Sequence, residues 1–175
     1  MEAKEYTTID RAAQQWPSGP WDKEPDKAQW QDEETGLPCL AVRHPSSGHW
    51  CGYVGVAEGH PAFKQGYNDV MFGDEYPDVH GGLTFADMCS PGEDESKGVC
   101  HTPALGEPDH VWWFGFDCAH SEDYSPRDQH YSDTRGYPFT TGGYSKYRTL
   151  DYVKWQCRKL AKQLFSNDQV REPPK

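Results

Sequence analysis

The chain has 175 residues, of which 14% are aromatic and 35% hydrophobic, and its formal net charge is -11. A chain of this length supports one domain with its own core, and the low aliphatic content predicts that Trp, Tyr and Phe build much of that core. The negative charge excludes general nucleic-acid binding through a basic face, because it repels phosphates at long range.

The N-terminus and the cysteines indicate the cellular compartment. The first residues, MEAKEYTTID, lack the charged-then-apolar pattern of a secretory signal, and no apolar run approaches the length of a membrane span. We therefore expect a cytoplasmic protein with no membrane contact. Six cysteines are present, but a disulfide framework is not expected in that compartment, and the lack of a C-x-x-C pair argues against a zinc ribbon. We expect most of these thiols to be buried as small hydrophobic groups.

The N-terminal third of the chain contains the clearest local pattern. Residues 1–27 combine a short helical segment at Thr8–Trp16 with a stretch rich in Pro, Gly and Trp, which predicts an extended arm laid on the domain. From Ala28 to Ala57, three alternating runs are separated by turns at Glu34–Gly36 and Pro45–Gly48. Alternation with a period of two residues between tight turns predicts a β-meander of three strands.

Two further strands are predicted in the middle of the chain. Val79–Ala86 is the first, and Val111–Cys118 is the strongest of all. The second strand is apolar on both faces, which predicts a central position covered on each side. The intervening segments 58–78 and 87–109 carry turn-forming residues at close intervals and predict structured excursions from the sheet.

The C-terminal part of the chain completes the predicted fold. Residues 119–146 show no periodicity, and loops of this length are more often functional than passive. At Thr149–Phe165, apolar residues recur at helical spacing and predict a helix. The expected fold is α+β: a single domain at 28–166 with a mainly antiparallel twisted sheet of about five strands packed on the C-terminal helix. The arm occupies 1–27, and residues 167–175 form a flexible tail.

An acid/base pair is predicted where the strongest strand ends. Asp117 lies at that end and His120 follows across a turn, so the carboxylate is suited to fix the imidazole tautomer or to join it at a metal. The alternative is that Asp117 caps the loop and that His120 is an ordinary polar turn residue. A Cys118 nucleophile is disfavoured, because the adjacent carboxylate raises the pKa of a thiol.

Two more histidines lie beside predicted strand ends. His80 is followed by Gly81 and Gly82, which let a ligand approach closely or form a bulge that aims the imidazole, and Thr84 lies on the same strand face. The alternative is a bulge needed only for sheet twist. His60 lies just after the third strand of the meander, in the turn EGHP.

These residues predict one pocket with a catalytic and metal-binding role. We expect the catalytic residues to be His80, Asp117 and His120. Nitrogen and oxygen ligands would suit a divalent metal such as zinc, manganese or iron, with an open position for water. The predicted metal ligands are His60, His80, Asp117 and His120. The sequence contains no H-E-x-x-H motif, so this prediction rests on the convergence of separate segments.

The long segment 119–146 and the residues after it are rich in Tyr and Arg. Aromatic rings stack on bases and arginines pair with phosphates, so this composition is typical of a site for a nucleotide-like ligand. The alternative is an aromatic loop that packs on itself or at a subunit contact. The predicted ligand-binding residues are His60, Thr84, Tyr124, Arg127, Arg135, Tyr144 and Arg148.

Four segments carry a resemblance to other proteins: GLPCLAVRHPSSGHWCGYVGVAEGHP, DVHGGLTF, WWFGFDCAHSED and YRTLDYVKWQCRKLAKQL. Over residues 19–164 the chain resembles a group of small uncharacterised proteins from bacteriophages and bacterial genomes. The resemblance implies a phage-type accessory protein in the cytoplasm of a bacterial host, and it supplies no catalytic residues. Phage accessory proteins often counter host defence, which points to nucleotide immune signals as the ligand class.

Three classes of function stay open at this point. The first is hydrolysis of a phosphoester or nucleotide-like compound in the predicted pocket. The second is sequestration of a nucleotide-type signal without chemistry, which a homo-oligomer would favour because it can enclose ligand between subunits. The third is an acidic inhibitor that binds a host protein and does not need His80 or His120.

Overall fold

The computed structural model describes residues 1–72, 74–89, 94–136 and 145–169. Within these residues the chain forms eight strands and two α-helices. The strands are β1 Lys4–Tyr6, β2 Lys27–Gln31, β3 Pro38–Arg43, β4 Trp50–Ala57, β5 Phe85–Met88, β6 Val111–Asp117, β7 Asp123–Tyr124 and β8 Lys146–Tyr147. The helices are α1 Pro126–Arg135 and α2 Leu150–Gln169, and a short 3-10 helix covers Pro20–Lys23.

Six strands of the described chain form one antiparallel sheet in the order β1-β2-β3-β4-β6-β5. The predicted α+β fold, with a mainly antiparallel sheet and a C-terminal helix, is confirmed. Strands β2, β3 and β4 are the predicted meander, and β6 lies between β4 and β5, as its apolar pattern predicts. The sixth strand is β1, which the predicted arm contributes to the edge of the sheet. Strands β7 and β8 pair with each other in parallel.

One face of the sheet packs on helix α2. Val54 and Phe114 from the central strands and Cys157 from the helix belong to the main core. Gly52 permits the close approach, because a Cβ at this position would lie 2.4 Å from the Phe116 ring and 2.9 Å from the Cys157 Sγ. The helix is therefore seated where β4 has no side chain.

The opposite face is covered by the chain between residues 94 and 102. It carries a second buried cluster, made of Leu40, Tyr53, Val111 and Trp113. Lys27 of β2 is fully buried beneath the covering segment. Its ammonium donates to the carbonyls of Glu95 at 2.5 Å, Gly98 at 2.6 Å and Cys100 at 2.6 Å. Lys27 thus ties the covering segment to the sheet, and the Gln29 side chain adds two hydrogen bonds to the main chain of Thr102.

Replacing Lys27 by methionine should lower the free energy of unfolding by about 3 kcal/mol, because three carbonyls lose their charged donor. Urea unfolding measures the change, and hydrogen exchange should quicken in residues 94–102. Lys23→Met removes an exposed lysine from the 3-10 helix and should change stability by less than about 0.5 kcal/mol. Equal losses in the two variants would contradict the tethering role of Lys27.

The cysteines depart from the expectation in one respect. Cys89 and Cys100 form a disulfide, with their Cα atoms 5.1 Å apart, which corrects the expectation that no disulfide forms. The covering segment returns to the sheet at Cys100 and brings the two thiols together, and the 11-residue separation along the chain does not reveal this. Three free thiols of the described residues are buried as expected, namely Cys39, Cys118 and Cys157.

The segment predicted as a long loop at 119–146 contains helix α1. Ser125 and Asp128 form a capping box, in which the Asp128 amide donates to the Ser125 hydroxyl at 3.3 Å and the Asp128 carboxylate accepts from the Ser125 amide at 2.9 Å. Pro126 occupies the first turn, and Gly136 ends the helix in the left-handed region at φ 68°. Hydrophobic periodicity is absent because this helix buries only Pro126, and the prediction of an irregular loop was therefore wrong at 126–135. Residues 137–144 of the predicted loop lie outside the described residues.

Three element boundaries also differ from the prediction. The chain at Thr8–Trp16 forms hydrogen-bonded turns, and strand β5 begins at Phe85 because Gly81 and Gly82 have positive φ and make a turn. Helix α2 continues to Gln169, into the predicted tail. In the described ranges, no helix has the length and apolar character needed to cross a membrane.

Candidate active site

The end of β6 and the chain before β5 bring the predicted residues Asp117 and Thr84 into contact. The Thr84 hydroxyl donates to Asp117 Oδ2 at 2.9 Å, and the Ala119 amide donates to Oδ1 at 3.1 Å. His120 Nε2 lies 3.9 Å from the same Oδ1, which is an ion-pair distance when the ring is protonated. The carboxylate is thus fixed by two donors, and the imidazole lies beside it.

A buried carboxylate, Asp123 of β7, holds this edge of the sheet together. Its side chain is 2% exposed and accepts from Arg148 Nε at 2.7 Å and from His80 Nε2 at 2.8 Å. The main-chain amide of His120 donates to it at 2.9 Å. Burial raises the pKa of a carboxyl, but these hydrogen bonds outweigh burial and hold the pKa of Asp123 below its usual range. Asp123 is therefore a fixed anion.

Both ring nitrogens of His80 are committed to protein partners. Nε2 donates to Asp123, and Nδ1 lies 3.0 Å from the Tyr152 hydroxyl. That hydroxyl accepts from Gln156 Nε2 at 2.9 Å, so its own proton is available for Nδ1. The ring thus carries its proton on Nε2 and supports Asp123, with no nitrogen left for a ligand.

The imidazole of His120 lies against the main chain of Gly81. A Cβ at residue 81 would be 1.8 Å from His120 Nε2, and the φ of this glycine is +66°. The ring centroid is 5.3 Å from that of His80, and 38% of the side chain is exposed. Only glycine meets both requirements at this position. The imidazole therefore packs against the main chain of Gly81 on one side and is partly exposed to solvent.

Gly81→Ala should displace the His120 ring, whereas Gly82→Ala should leave it in place. Gly82 has φ +85° and no atom within 4 Å of an added Cβ, so both variants pay the positive-φ penalty of about 1 kcal/mol and only one creates a clash. The NMR chemical shifts of the His120 imidazole should change in Gly81→Ala alone. The same His120 signals in both variants would show that Gly81 does not position the ring.

A pocket of about 520 Å³ opens beside His120 and is lined by two chain segments. One is the turn between β3 and β4, with Ser47 and His49, and the other leads from β6 into α1. Gly48, at φ +81°, allows the two segments to meet, because a Cβ there would lie 2.5 Å from the Pro126 ring. An amide of the first turn of α1 also donates to the Ser47 carbonyl at 3.1 Å. The turn therefore places His49 in the wall that His120 shares.

The hydroxyl of Ser47 determines which nitrogen of His49 is free. Its Oγ lies 2.8 Å from His44 Nδ1 and 2.9 Å from His49 Nδ1. His44 Nδ1 also receives the amides of Ser46 and Ser47 at 3.4 and 3.3 Å and lies 3.3 Å from Ser46 Oγ, so it is an acceptor. We assign the Ser47 hydroxyl proton to His44 Nδ1, the shorter of its two contacts, and His49 Nδ1–H as the donor to Ser47 Oγ. The assigned tautomer leaves a lone pair on His49 Nε2.

The surroundings of His49 favour its neutral form. Burial lowers the pKa of His49, and the stacked His44 ring, with centroids 4.9 Å apart, lowers it further. Three carboxylates raise it by smaller amounts, namely Asp117, Asp128 and Asp123. A neutral imidazole with a free Nε2 is a suitable general base.

Comparisons with protein-family models, with curated proteins and with solved structures find no match to this chain.

His60 does not join the other predicted residues, which corrects the expectation of one pocket. Its Nε2 lies 3.1 Å from the Leu164 carbonyl, and its Nδ1 accepts from the Ala62 amide at 3.0 Å. His80 instead contacts Tyr152, twelve residues earlier on the same helix, which corresponds to about 18 Å of helix length. The His60 ring is thus engaged near the C-terminal half of α2, away from the site.

The predicted metal centre is not formed in the described part of the chain. Among those residues, no group of three or more His, Cys, Asp or Glu side chains is arranged to hold a metal ion. The physical reasons are that His60 lies elsewhere and that Asp123 and Tyr152 occupy both nitrogens of His80. Asp117 and His120 are left as an isolated pair.

The predicted ligand-binding residues divide into several groups. Tyr124 and Arg127 line the pocket with His120, and Arg135 lies further along α1. The guanidinium of Arg148 is committed to Asp123. Tyr144 lies outside the described residues.

Burial, followed by the charge of Asp123, raises the pKa of Cys118. This agrees with the ranking of a thiolate mechanism below the Asp/His pair.

The sequence contains a signal for His49 that the strand ends alone do not reveal. The predicted turn Pro45–Gly48 is flanked by His44 and His49, and the residues that flank a hairpin turn lie opposite each other. The structure has this arrangement, with the His44 amide donating to the His49 carbonyl at 2.8 Å. A histidine pair across a turn was therefore readable from HPSSGH.

Proposed function

We propose that the protein hydrolyses a phosphoester bond of a small nucleotide-like molecule, with His49 and His120 as general base and general acid. One observation carries the proposal: the two imidazoles line the same pocket in different settings. His49 has a lone pair on Nε2, and His120 stands 3.9 Å from Asp117, whose carboxylate attracts positive charge on the ring. The proposed mechanism needs no metal ligand set.

The proposed step is balanced in protons and bonds. A water molecule attacks phosphorus while His49 Nε2 removes one of its protons. The bond from phosphorus to the leaving oxygen breaks, and protonated His120 gives that oxygen a proton. The products are an alcohol and a phosphate, and the two imidazoles exchange protons with solvent to regain their starting states.

The neighbouring groups make the pocket compatible with an anionic substrate. The negative charge of Asp123 is paired with Arg148 at 2.7 Å, which reduces its repulsion of a phosphate. The Asp128 carboxylate accepts from the Ser125 hydroxyl at 2.7 Å. His80 has a positioning role in this scheme, because it holds Asp123 and contacts the back of the His120 ring.

The resemblance to phage proteins supports a biological setting for the activity. We place it in the cytoplasm of a bacterial host, where hydrolysis of a nucleotide immune signal would counter host defence. The pocket volume of about 520 Å³ lies in the range of small-molecule sites.

The test is to incubate the protein with cyclic oligonucleotides and ADP-ribose and to analyse the small molecules by mass spectrometry, before and after the protein is denatured. We expect new product masses, and rates reduced about 10²- to 10⁴-fold in His49→Ala and His120→Ala. His110→Ala removes an exposed histidine outside the pocket and should keep the parental rate. If a ligand is released intact, and only when the protein is denatured, the function is sequestration and not hydrolysis. If none of the tested compounds is bound or converted, a nucleotide substrate is contradicted.

A further inference from the structure

Helix α1 presents two arginines that differ from the others in the described chain. Arg127 and Arg135 are exposed, and within the described residues neither has a carboxylate within ion-pair distance. The other described arginines are each paired with Asp or Glu: Arg11, Arg43, Arg148 and Arg158. In a protein with a net charge of -11, two unpaired guanidinium groups on one helix are a local exception.

The two guanidinium groups are ordered by one aromatic ring. Their carbon atoms lie 5.3 Å (Arg127) and 4.9 Å (Arg135) from the Tyr131 ring centroid, so they are at most about 10 Å apart. Arg127 Nε also donates to the Tyr131 hydroxyl at 3.2 Å. Spacing of four residues places all three side chains on one face of α1. The cations are thus held on a common platform before any ligand arrives.

The acidic residues of α1 do not neutralise this face. Asp128 accepts from the amide and hydroxyl of Ser125, and Asp133 accepts from Gln129 Nε2 at 2.6 Å. Tyr131 and Arg127 line the candidate pocket, whereas Arg135 lies one helical turn beyond Tyr131. The face formed by Arg127, Tyr131 and Arg135 therefore extends from the pocket along α1 and places positive charge at the pocket rim.

We propose that Arg127, Tyr131 and Arg135 form a clamp for a second phosphate, so that the ligand class is a molecule that carries at least two phosphate groups. This rests on the proposed function for the position of the first phosphate beside the two histidines. Two directly linked phosphates and two phosphates separated by one nucleoside share this chemistry. Arginine suits the role because its planar fork pairs with phosphate oxygens and is here already oriented.

Calorimetric binding of pyrophosphate, ADP and the 5′-phosphorylated dinucleotide pApA to the full chain tests the clamp without requiring turnover. We expect each of them to bind more tightly than orthophosphate, and Arg127→Gln and Arg135→Gln to weaken binding about tenfold each. Arg158→Gln, on α2, is the matched control and should bind like the parent. Tighter binding of ADP would assign directly linked phosphates, and tighter binding of pApA would assign phosphates separated by a nucleoside.

The outcomes separate this inference from hydrolysis. Arginine-dependent binding without any product supports the clamp and contradicts the hydrolase. Turnover that persists unchanged in Arg127→Gln and Arg135→Gln, with orthophosphate bound as tightly as pyrophosphate, overturns the clamp and leaves the hydrolase standing. Circular dichroism of each variant confirms that the exposed substitutions keep the fold.

Discussion

Replacing Glu24 by alanine is expected to lower the free energy of unfolding by about 3–5 kcal/mol, the largest stability change that we predict for one residue. For a domain of this size the corresponding fall in melting temperature is about 10 °C. Thermal and urea unfolding, followed by tryptophan fluorescence, measure both quantities.

The reason is that one carboxylate joins three parts of the chain. Glu24 Oε2 accepts from Arg43 Nη2 at 2.8 Å and from Trp50 Nε1 at 3.1 Å, and also from the Tyr147 hydroxyl. Glu24 Oε1 accepts from the Leu150 amide at 2.8 Å, which satisfies a donor in the first turn of α2. Alanine would remove these contacts and would leave the fully buried guanidinium of Arg43 without its closest carboxylate.

Two further variants distinguish the buried pair from a general effect of removing glutamate. Glu33→Ala removes an exposed carboxylate and should cost less than about 0.5 kcal/mol. In the double variant Glu24→Leu with Arg43→Met, the loss should be smaller than the sum of the two single losses, because no charge is left unpaired. Additive losses would contradict a direct interaction between Glu24 and Arg43.

The sheet was predictable from the sequence because its strands carry their own signals. Residues 28–57 alternate with a period of two between turns, and the apolar run at Val111 is long enough to require cover on both faces. The helix at Thr149 was visible for the same reason, since its apolar face packs on the sheet. Burial of apolar surface leaves a periodic trace in the sequence, and these elements depend on it.

Helix α1 and strand β1 were not predictable in this way. The helix buries only Pro126, so its existence depends on the capping box of Ser125 and Asp128 and on Gly136. Strand β1 has three residues, and its place at the sheet edge comes from pairing with β2. Elements held by caps or by a partner strand leave little hydrophobic pattern to detect.

The position of the candidate site was predictable from the sequence, but the role of each side chain in it was not. The edge beyond β6 does bring Asp117, His80 and His120 together, as the strand ends indicate. The sequence could not show that Asp123 and Tyr152 take both nitrogens of His80, because those partners come from separate elements. It also gave no reason to separate His60 from the others, since distance along α2 decides that question.

Replacing Asp123 by asparagine is expected to cost about 3 kcal/mol of unfolding free energy at neutral pH and to disturb His120. The carboxylate accepts from three donors, which come from Arg148, His80 and the His120 amide. Asparagine has one acceptor oxygen, and its NH₂ group would face a donor. Asp109→Asn, at an exposed position, is the matched control and should be close to neutral.

The pH dependence of this loss identifies its cause. The pKa of Asp123 is lower in the folded protein than the unfolded value of about 3.9. Its ionisation therefore makes its full contribution to the free energy of unfolding at pH values above about 3.9. The contribution disappears as the pH falls through the folded pKa, because protonation removes the charge in both states. The difference in unfolding free energy between parent and Asp123→Asn should therefore begin to shrink below about pH 4 and disappear once the pH is below the folded pKa. If the difference in unfolding free energy between parent and variant stayed constant at acidic pH, packing and neutral hydrogen bonds would stabilise this edge. The charge of the Asp123 carboxylate would then make no contribution.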